Sequence, residues 1–364
     1  MIHSIFGQYD ATLYENYTTK NTGLDSILDL SKYIVGTSSY NNRALVKFDL
    51  AAISQSVANG SIGATRKFYL NLSAVDAFEL PTTLTFTIAP VSQSWDAGIG
   101  KYANSPETTQ GVTWQQRTSV VNWTTGSYAA NTTASWTVNS GGGTWYTNNT
   151  QSFTLSNTSV DIRADVTNIV ESWLNNTIPN NGFIILKDNE STADNQTSLR
   201  YFSSDTNTIY LPKLEVAWDN SVYTTGSLTQ PTANKELLVY IQNLKKAYKE
   251  TSKVRWNVGV REKYPTITFA TQSNYLTVNY LPTSSFFYSI QHADTQETVI
   301  PFDTTYTKVS CTSSGNFVDM WLDGLQPERY YKIVFRVDRD GQEEYIDNNY
   351  IFKVVKWEHQ MADW

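Results

Sequence analysis

Three histidines, at positions 3, 292 and 359, and one cysteine, Cys311, are the strongest metal-binding and nucleophilic side chains in this 364-residue chain. They lie in different segments, with no second Cys or carboxylate at ligand spacing. Neither a structural nor a catalytic metal site is therefore expected, and no cofactor is implied. No Gly-x-Ser-x-Gly elbow, phosphate-cradling Gly-Lys-Ser/Thr loop or dinucleotide glycine pattern occurs. The Gly141-Gly142-Gly143 run follows a loop, where chain flexibility accounts for it. Glycoside hydrolysis needs two carboxylates facing one bond. Asp96, Glu107, Asp161, Asp165, Glu171 and Glu190 can be paired in many ways, and the sequence selects none. Helix turns and strand ends are simpler roles for them, so the expectation is a protein that is not an enzyme.

Binding rather than catalysis is where the residue types concentrate. Trp114, Trp123 and Trp136 are scattered among Thr, Asn and Gly between Gly98 and Gly143, with Trp95 and Trp145 beside them. Aromatic rings stack on sugar faces, which makes Trp114, Trp123 and Trp136 candidate glycan-stacking residues. The favoured alternative is that these rings fill a sandwich core or a subunit interface. Lys235 to Lys263 carries eight Lys or Arg against three Glu, a local excess of positive charge in a chain whose net charge is −7. An acidic whole argues against nucleic acid as the partner. A solvated face explains the basic run, and docking on an acidic neighbouring subunit fits an assembly best, with Lys245, Lys246 and Lys249 as candidate contacts. The tail from Trp357 to Trp364 puts two Trp outside any evident core, as a docking arm would or as a segment tucked back on its own domain.

The elements that must position these residues are mostly strands. Hydrophobic residues make up 40% of the chain and charged ones 17%, a balance that folds. The length suits two cores. The 23 Tyr and 11 Trp, with much Thr, Asn and Ser, suit pleated strands and turn-rich loops. Ala44, Val46, Phe48 and Leu50 alternate with Arg43, Lys47 and Asp49, which predicts a half-buried strand with a wet face. The same alternation marks Phe68 to Leu72, Leu84 to Ile88 and Ile333 to Val337, the last followed by the Asp340-Gly341 turn signal and a returning strand at Tyr350 to Val354. Ile162, Val166, Ile169, Val170, Trp173 and Leu174 recur at helical spacing, which predicts one amphipathic helix over about Asp161 to Asn175. Phe183 to Leu186 reads as a buried strand and Leu214 to Trp218 as a closing one. Residues 219–234 have linker composition. Leu237, Ile241, Leu244 and Tyr248 predict a short amphipathic helix across Lys235 to Glu250. The N-terminus lacks the basic and apolar regions of a signal peptide, and no apolar run approaches membrane length.

Taken in order, Asp10-Ala11-Thr12-Leu13, Asn42 to Leu50, Val112-Thr113-Trp114, Asn181-Gly182-Phe183, Tyr201 to Ser204 and Pro212 to Val216 resemble the DNRLRE family of jelly-roll β-sandwiches over about Gln8 to Asp219. The family occurs in secreted surface proteins, some polysaccharide-active proteins and phage particles, and offers no shared catalytic residues to carry over. Arg261 to Thr266, Ile300 to Asp303 and Gly324 to Tyr331 are similar to C-terminal domains of virion proteins from contractile-tailed phages of marine bacteria. Gly324-Leu325-Gln326-Pro327 also resembles the turn into an aromatic strand of fibronectin type III modules.

The resemblance implies a mainly β chain. It comprises a jelly-roll sandwich with one helix over 1–219, a linker with a short helix over 220–253, and an immunoglobulin- or fibronectin-like sandwich with a C-terminal tail over 254–364. The implied role is a structural virion protein of the neck, collar, baseplate or fibre attachment, made in the host cytoplasm. Its expected partners are other phage structural proteins and copies of itself. The alternative is a carbohydrate-binding surface-adhesion module.

Overall fold

The computed structural model describes residues 1–124, 132–134, 141–188, 190, 196–232, 235–265, 278–339 and 341–356. The chain is mainly β, in several antiparallel sheets, with two α-helices among the described residues. It divides into two compact units. One holds Ile5–Ser61 and Lys67–Val216; the other holds Ala217–Trp364 together with Met1–Ser4 and Ile62–Arg66.

In the N-terminal unit a large sheet orders Gln151–Ser156, Thr83–Pro90, Phe183–Lys187, Ser38–Lys47 and Tyr9–Tyr14, with Lys32–Val35 also paired to Ser38–Lys47. A second sheet places Lys213–Ala217, Lys67–Leu72 and Ile162–Asp165 side by side. Alternation sets the inner rows. Phe68, Leu70 and Leu72 are fully buried from one sheet, and Leu84, Phe86 and Ile88 from the other. The wet face predicted for Arg43, Lys47 and Asp49 survives only at its end, where Lys47 is half-buried and Asp49 exposed. Arg43, Leu45, Ala44 and Val46 are all inaccessible. A layer of loops carrying Trp95, Val112, Trp114, Trp123 and Trp145 packs on Leu13, Leu45 and Ile184, covering the second face of the sheet.

The helix expected over Asp161 to Asn175 is confined to Thr167–Leu174, burying Ile169, Val170 and Trp173. Its first predicted turn is instead the strand Ile162–Asp165, in register Ile162↔Leu72 and Ala164↔Leu70. The switch lies at Asp165, whose Oδ1 accepts the Thr167 N–H at 2.9 Å, while the Thr167 hydroxyl accepts the Phe68 N–H at 2.9 Å. A further helix, Ala51–Ala58, has little periodicity, buries only Ile53, and starts where Asp49 Oδ1 accepts the Ala51 N–H at 2.9 Å.

The C-terminal unit is built from two sheets. One orders Leu237–Ile241, Lys253–Glu262, Gly315–Trp321 and Ser310–Thr312. The other orders Ala247–Lys249, Gln342–Val355, Arg329–Arg339, Phe286–His292 and Thr298–Ile300. Trp256 of the first meets Phe352 of the second, ring centroids 5.0 Å apart, and both are buried.

The helix predicted across Lys235 to Glu250 is absent. Leu237–Ile241 is a strand in antiparallel register with Val258 to Glu262, and Ala247–Lys249 pairs in parallel with Lys353 to Val355. Leu237, Val239 and Ile241 alternate as well as they repeat, and the β-branched and aromatic content favours the strand. Asn243 fixes the break between the strands: its Nδ2 donates to the Arg255 carbonyl at 2.8 Å and its Oδ1 accepts the Asn257 N–H at 2.8 Å. On the outer edge of Leu237–Ile241, the Val239 carbonyl accepts Asn348 Nδ2 at 2.9 Å and the Tyr350 hydroxyl at 3.2 Å.

Candidate functional site

Arg43 is the centre of the covered face. Its Nε donates to Glu190 Oε1 at 2.9 Å, Nη2 to Glu190 Oε2, and Nη1 to the Gly142 carbonyl at 2.6 Å. The guanidinium lies 4.8 Å from the Trp114 ring centroid and 5.4 Å from that of Trp145. Gly141, Gly142 and Gly143 all have positive φ. A Cβ on Gly142 would sit 2.8 Å from Trp114 Cζ2, and one on Gly143 2.8 Å from Ile184 Cδ1. The glycine run therefore reflects close backbone approach to Arg43 and Trp114, which corrects its reading as loop flexibility. A bidentate buried pair of this kind fixes the loop layer to the sheet more than it adds net stability.

The same layer settles where the candidate stacking residues lie. Trp114 and Trp123 are buried, with Trp123 Nε1 donating to the Thr113 carbonyl at 3.1 Å, so neither ring offers a face to a sugar. Trp95 and Trp145 join them, and Trp95 Nε1 donates to the Asn181 carbonyl at 2.8 Å. Trp136 lies outside the described residues, as do Trp357 and Trp364. Of the basic candidates, Lys245 and Lys246 are exposed in the turn after Leu237–Ile241, and Lys249 is half-buried in the strand Ala247–Lys249. The segment is held by its aromatic and backbone groups. The Tyr248 hydroxyl accepts Trp256 Nε1 at 3.0 Å and the Lys245 N–H at 2.8 Å, and the Lys246 carbonyl accepts the Lys353 N–H at 2.8 Å.

Sequence periodicity did not point to the exposed apolar edge of the N-terminal unit. Phe78, at the end of Ala74–Phe78, is 58% exposed, and Val35, at the end of Lys32–Val35, is 63% exposed. Ser198 pairs with Phe78 and its neighbour Thr197 bridges to Lys32, which places Phe78 toward the start of the strand whose far end is Val35. Beside Phe78 opens a cleft of about 820 Å³ lined by Glu79, Leu80, Pro81, Lys187, Asp188 and Thr197, among others. Glu79 has φ +56°, an uncommon value for a residue with a side chain, and turns the chain from the edge strand along the cleft wall. The only signal in the sequence was Phe78-Glu79-Leu80-Pro81, an apolar strand end running into a proline.

Buried titratable groups are concentrated in this unit. Burial pushes the Asp10 carboxyl up to about 6 against the pull of the Ser204 N–H, which it accepts at 2.7 Å. Burial likewise raises Asp25 and Asp205. These three surround Ser203, whose hydroxyl donates to the Asp25 carbonyl and accepts the Asp205 N–H at 2.9 Å. Among the described residues no group of three His, Cys, Asp or Glu is placed to hold a metal ion, and no helix is long and apolar enough to cross a membrane. No protein-family model matches the sequence, and no curated protein matches it either.

Proposed function

We propose that this chain is a structural protein of a tailed-phage virion, a neck, collar, baseplate or fibre-attachment component that works by protein–protein assembly. The observation that carries the reading is that one unit leaves apolar strand ends in water, at Val35 and at Phe78 beside its cleft, and the other exposes lysines at 245 and 246. Large apolar side chains left in water at strand ends suit contacts with other chains. Lysines on an acidic protein suit an acidic neighbour. The resemblances to DNRLRE modules and to contractile-tail virion proteins supply the particle.

The strand order of the C-terminal unit supports an immunoglobulin-like reading. Lettered along the chain it is A-B-E-D against A′-G-F-C-C′. The Tyr331 hydroxyl donates to the Gln326 carbonyl at 2.8 Å, five residues upstream, as in a tyrosine corner. Such modules decorate and join larger assemblies.

The test is mass spectrometry of intact particles from a producing culture. The chain is expected at a fixed copy number, and charge reversal of Lys245, Lys246 and Lys249 together is expected to abolish incorporation while both units stay folded. Intact particles that lack the chain would overturn the proposal. A carbohydrate-binding role has one observation in its favour. Tyr17 and Tyr102 are exposed, meet edge to face at 5.8 Å, and share the Lys20 ammonium at 4.3 Å from each ring. Glycan retention that Tyr102→Ala removes would favour that role; a blank glycan array would dismiss it.

A further inference from the structure

Lys32, Asn41 and Glu15 form a buried group that the assembly reading does not use. They are 1%, 3% and 0% exposed. Lys32 and Asn41 are directly opposed in the antiparallel register of Lys32–Val35 with Ser38–Lys47, so their Cβ atoms stand roughly 5 Å apart on one face. Both side chains reach the same acceptor. Lys32 Nζ is 3.4 Å from the Glu190 carbonyl oxygen and Asn41 Nδ2 is 3.5 Å from it. Glu15 Oε2 accepts the Asn41 N–H at 2.8 Å and Asn41 Nδ2 at 3.3 Å. Asn41 Oδ1 is buried and has no hydrogen-bond partner among the described residues, a rare condition for an amide oxygen inside a protein. The frame is rigid. Lys32 exchanges backbone hydrogen bonds with Thr197 at 2.8 and 3.1 Å, and the Glu15 N–H reaches the Asn41 carbonyl at 3.3 Å.

We propose that Lys32 and Asn41 join in an intramolecular amide cross-link, with Glu15 carrying the proton. A buried amine and a carboxamide that share one acceptor, with a carboxyl hydrogen-bonded to the carboxamide, are the components of that reaction. Burial raises the Glu15 carboxyl, against the Asn41 N–H and the Arg43 charge. Moving one proton from the Lys32 ammonium to Glu15 conserves the charge of the cluster. It produces both a neutral nucleophile and a general acid.

The Nζ lone pair then forms a bond to Asn41 Cγ while the carbonyl electron pair moves onto Oδ1, and the Glu15 O–H stays beside Nδ2, the nitrogen it already meets at 3.3 Å and will protonate. Collapse of this intermediate breaks the Cγ–Nδ2 bond. Glu15 relays the proton from Nζ to the departing nitrogen, which leaves as ammonia. One amine and one carboxamide give one secondary amide and one ammonia, with no oxidant or cofactor.

The experiment is intact-mass spectrometry of the full folded chain, followed by fragmentation of its digest. The expected mass lies below that of the sequence by one ammonia, with the peptides containing Lys32 and Asn41 joined. Lys32→Arg and Asn41→Ala should each restore the full mass. Glu15→Gln should leave most molecules unlinked while retaining the far-ultraviolet circular dichroism of strands. A wild-type mass equal to that of the sequence overturns the cross-link. So does an ammonia loss that persists in Lys32→Arg, which would trace to ring closure at another asparagine such as Asn181 before Gly182. Linking at the wild-type rate in Glu15→Gln overturns the role given to Glu15.

Discussion

The two units are made of the same material, antiparallel strands with alternating side chains, yet they treat charge in opposite ways. In the N-terminal unit the strand Ser38–Lys47 is covered on both faces, and Arg43, Lys32, Glu15 and Asp10 are sealed inside. In the C-terminal unit ion pairs sit mostly at the surface, as Arg255 with Asp319 at 2.7 Å, Lys263 with Glu236 at 2.8 Å, and Lys353 with Glu328 at 2.5 Å, with the buried Lys332 on Asp347 at 2.7 Å as the exception. Its interior is aromatic and aliphatic, around Trp256, Phe335, Tyr331 and Phe352. The difference follows from the loop layer. Once a second face is covered, every polar side chain on it must find a partner within the protein. A face left in water can carry charge at little cost and for little gain.

Four substitutions separate these regimes, in falling order of effect. Arg43→Ala leaves Glu190 buried without its partner and should destabilise the N-terminal unit by about 3–5 kcal/mol, read as a lowered denaturant midpoint by tryptophan fluorescence. A loss below about 1 kcal/mol would erase the contrast with the surface pairs.

Asp10 tests the same interior by pH. Its folded value of about 6 lies above the ordinary 3.8, so the folded state binds the proton more tightly. The associated stability is full below the ordinary value and is lost as pH rises through about 6. Asp10→Asn should therefore gain on wild type by about 3 kcal/mol between acid and mildly alkaline solution, measured as the difference of two denaturation series. A constant difference across pH would contradict a buried carboxyl.

Tyr331→Phe removes one hydrogen bond, to Gln326, from the C-terminal unit and should cost about 1 kcal/mol in thermal unfolding. Arg255→Ala breaks an exposed pair and should cost roughly 0.2–1 kcal/mol, screened further by salt. An Arg255 effect as large as that of Arg43 would mean that the two units do not differ as described.

How much of this was legible in the sequence depends on what specified it. Phe68 to Leu72, Leu84 to Ile88 and Ile333 to Val337 were readable because strict alternation has one structural meaning. The segment Leu237 to Tyr248 was not, because Leu237 and Ile241 belong both to a helical spacing with Leu244 and Tyr248 and to an alternation through Val239. The choice was made by Asn243 and by pairing with residues far along the chain. Arg43 was read as wet for a different reason. Nothing local announces that the aperiodic stretch around Trp95 to Trp145 will lie over it. Its one trace was the Gly141 to Gly143 run, which only the position of Trp114 explains. The Lys32, Asn41 and Glu15 group had no local signal, since Lys32 opens one strand, Asn41 lies inside another and Glu15 follows a third.

The side-chain donors on the Val239 carbonyl close one border of the first sheet of the C-terminal unit. Asn348 and Tyr350 occupy the position that the backbone of an incoming strand would need. The unit therefore cannot extend its first sheet past Leu237–Ile241 without giving up two hydrogen bonds. Growth from this side is blocked, and the other border is covered as well: the Cys311 N–H reaches the Val222 carbonyl at 2.8 Å and the Cys311 carbonyl accepts the Thr224 N–H at 2.9 Å. A strand arriving at either border of this sheet would have to displace bonds already made, so the sheet is closed to edge-to-edge growth without any charged gatekeeper on its edges.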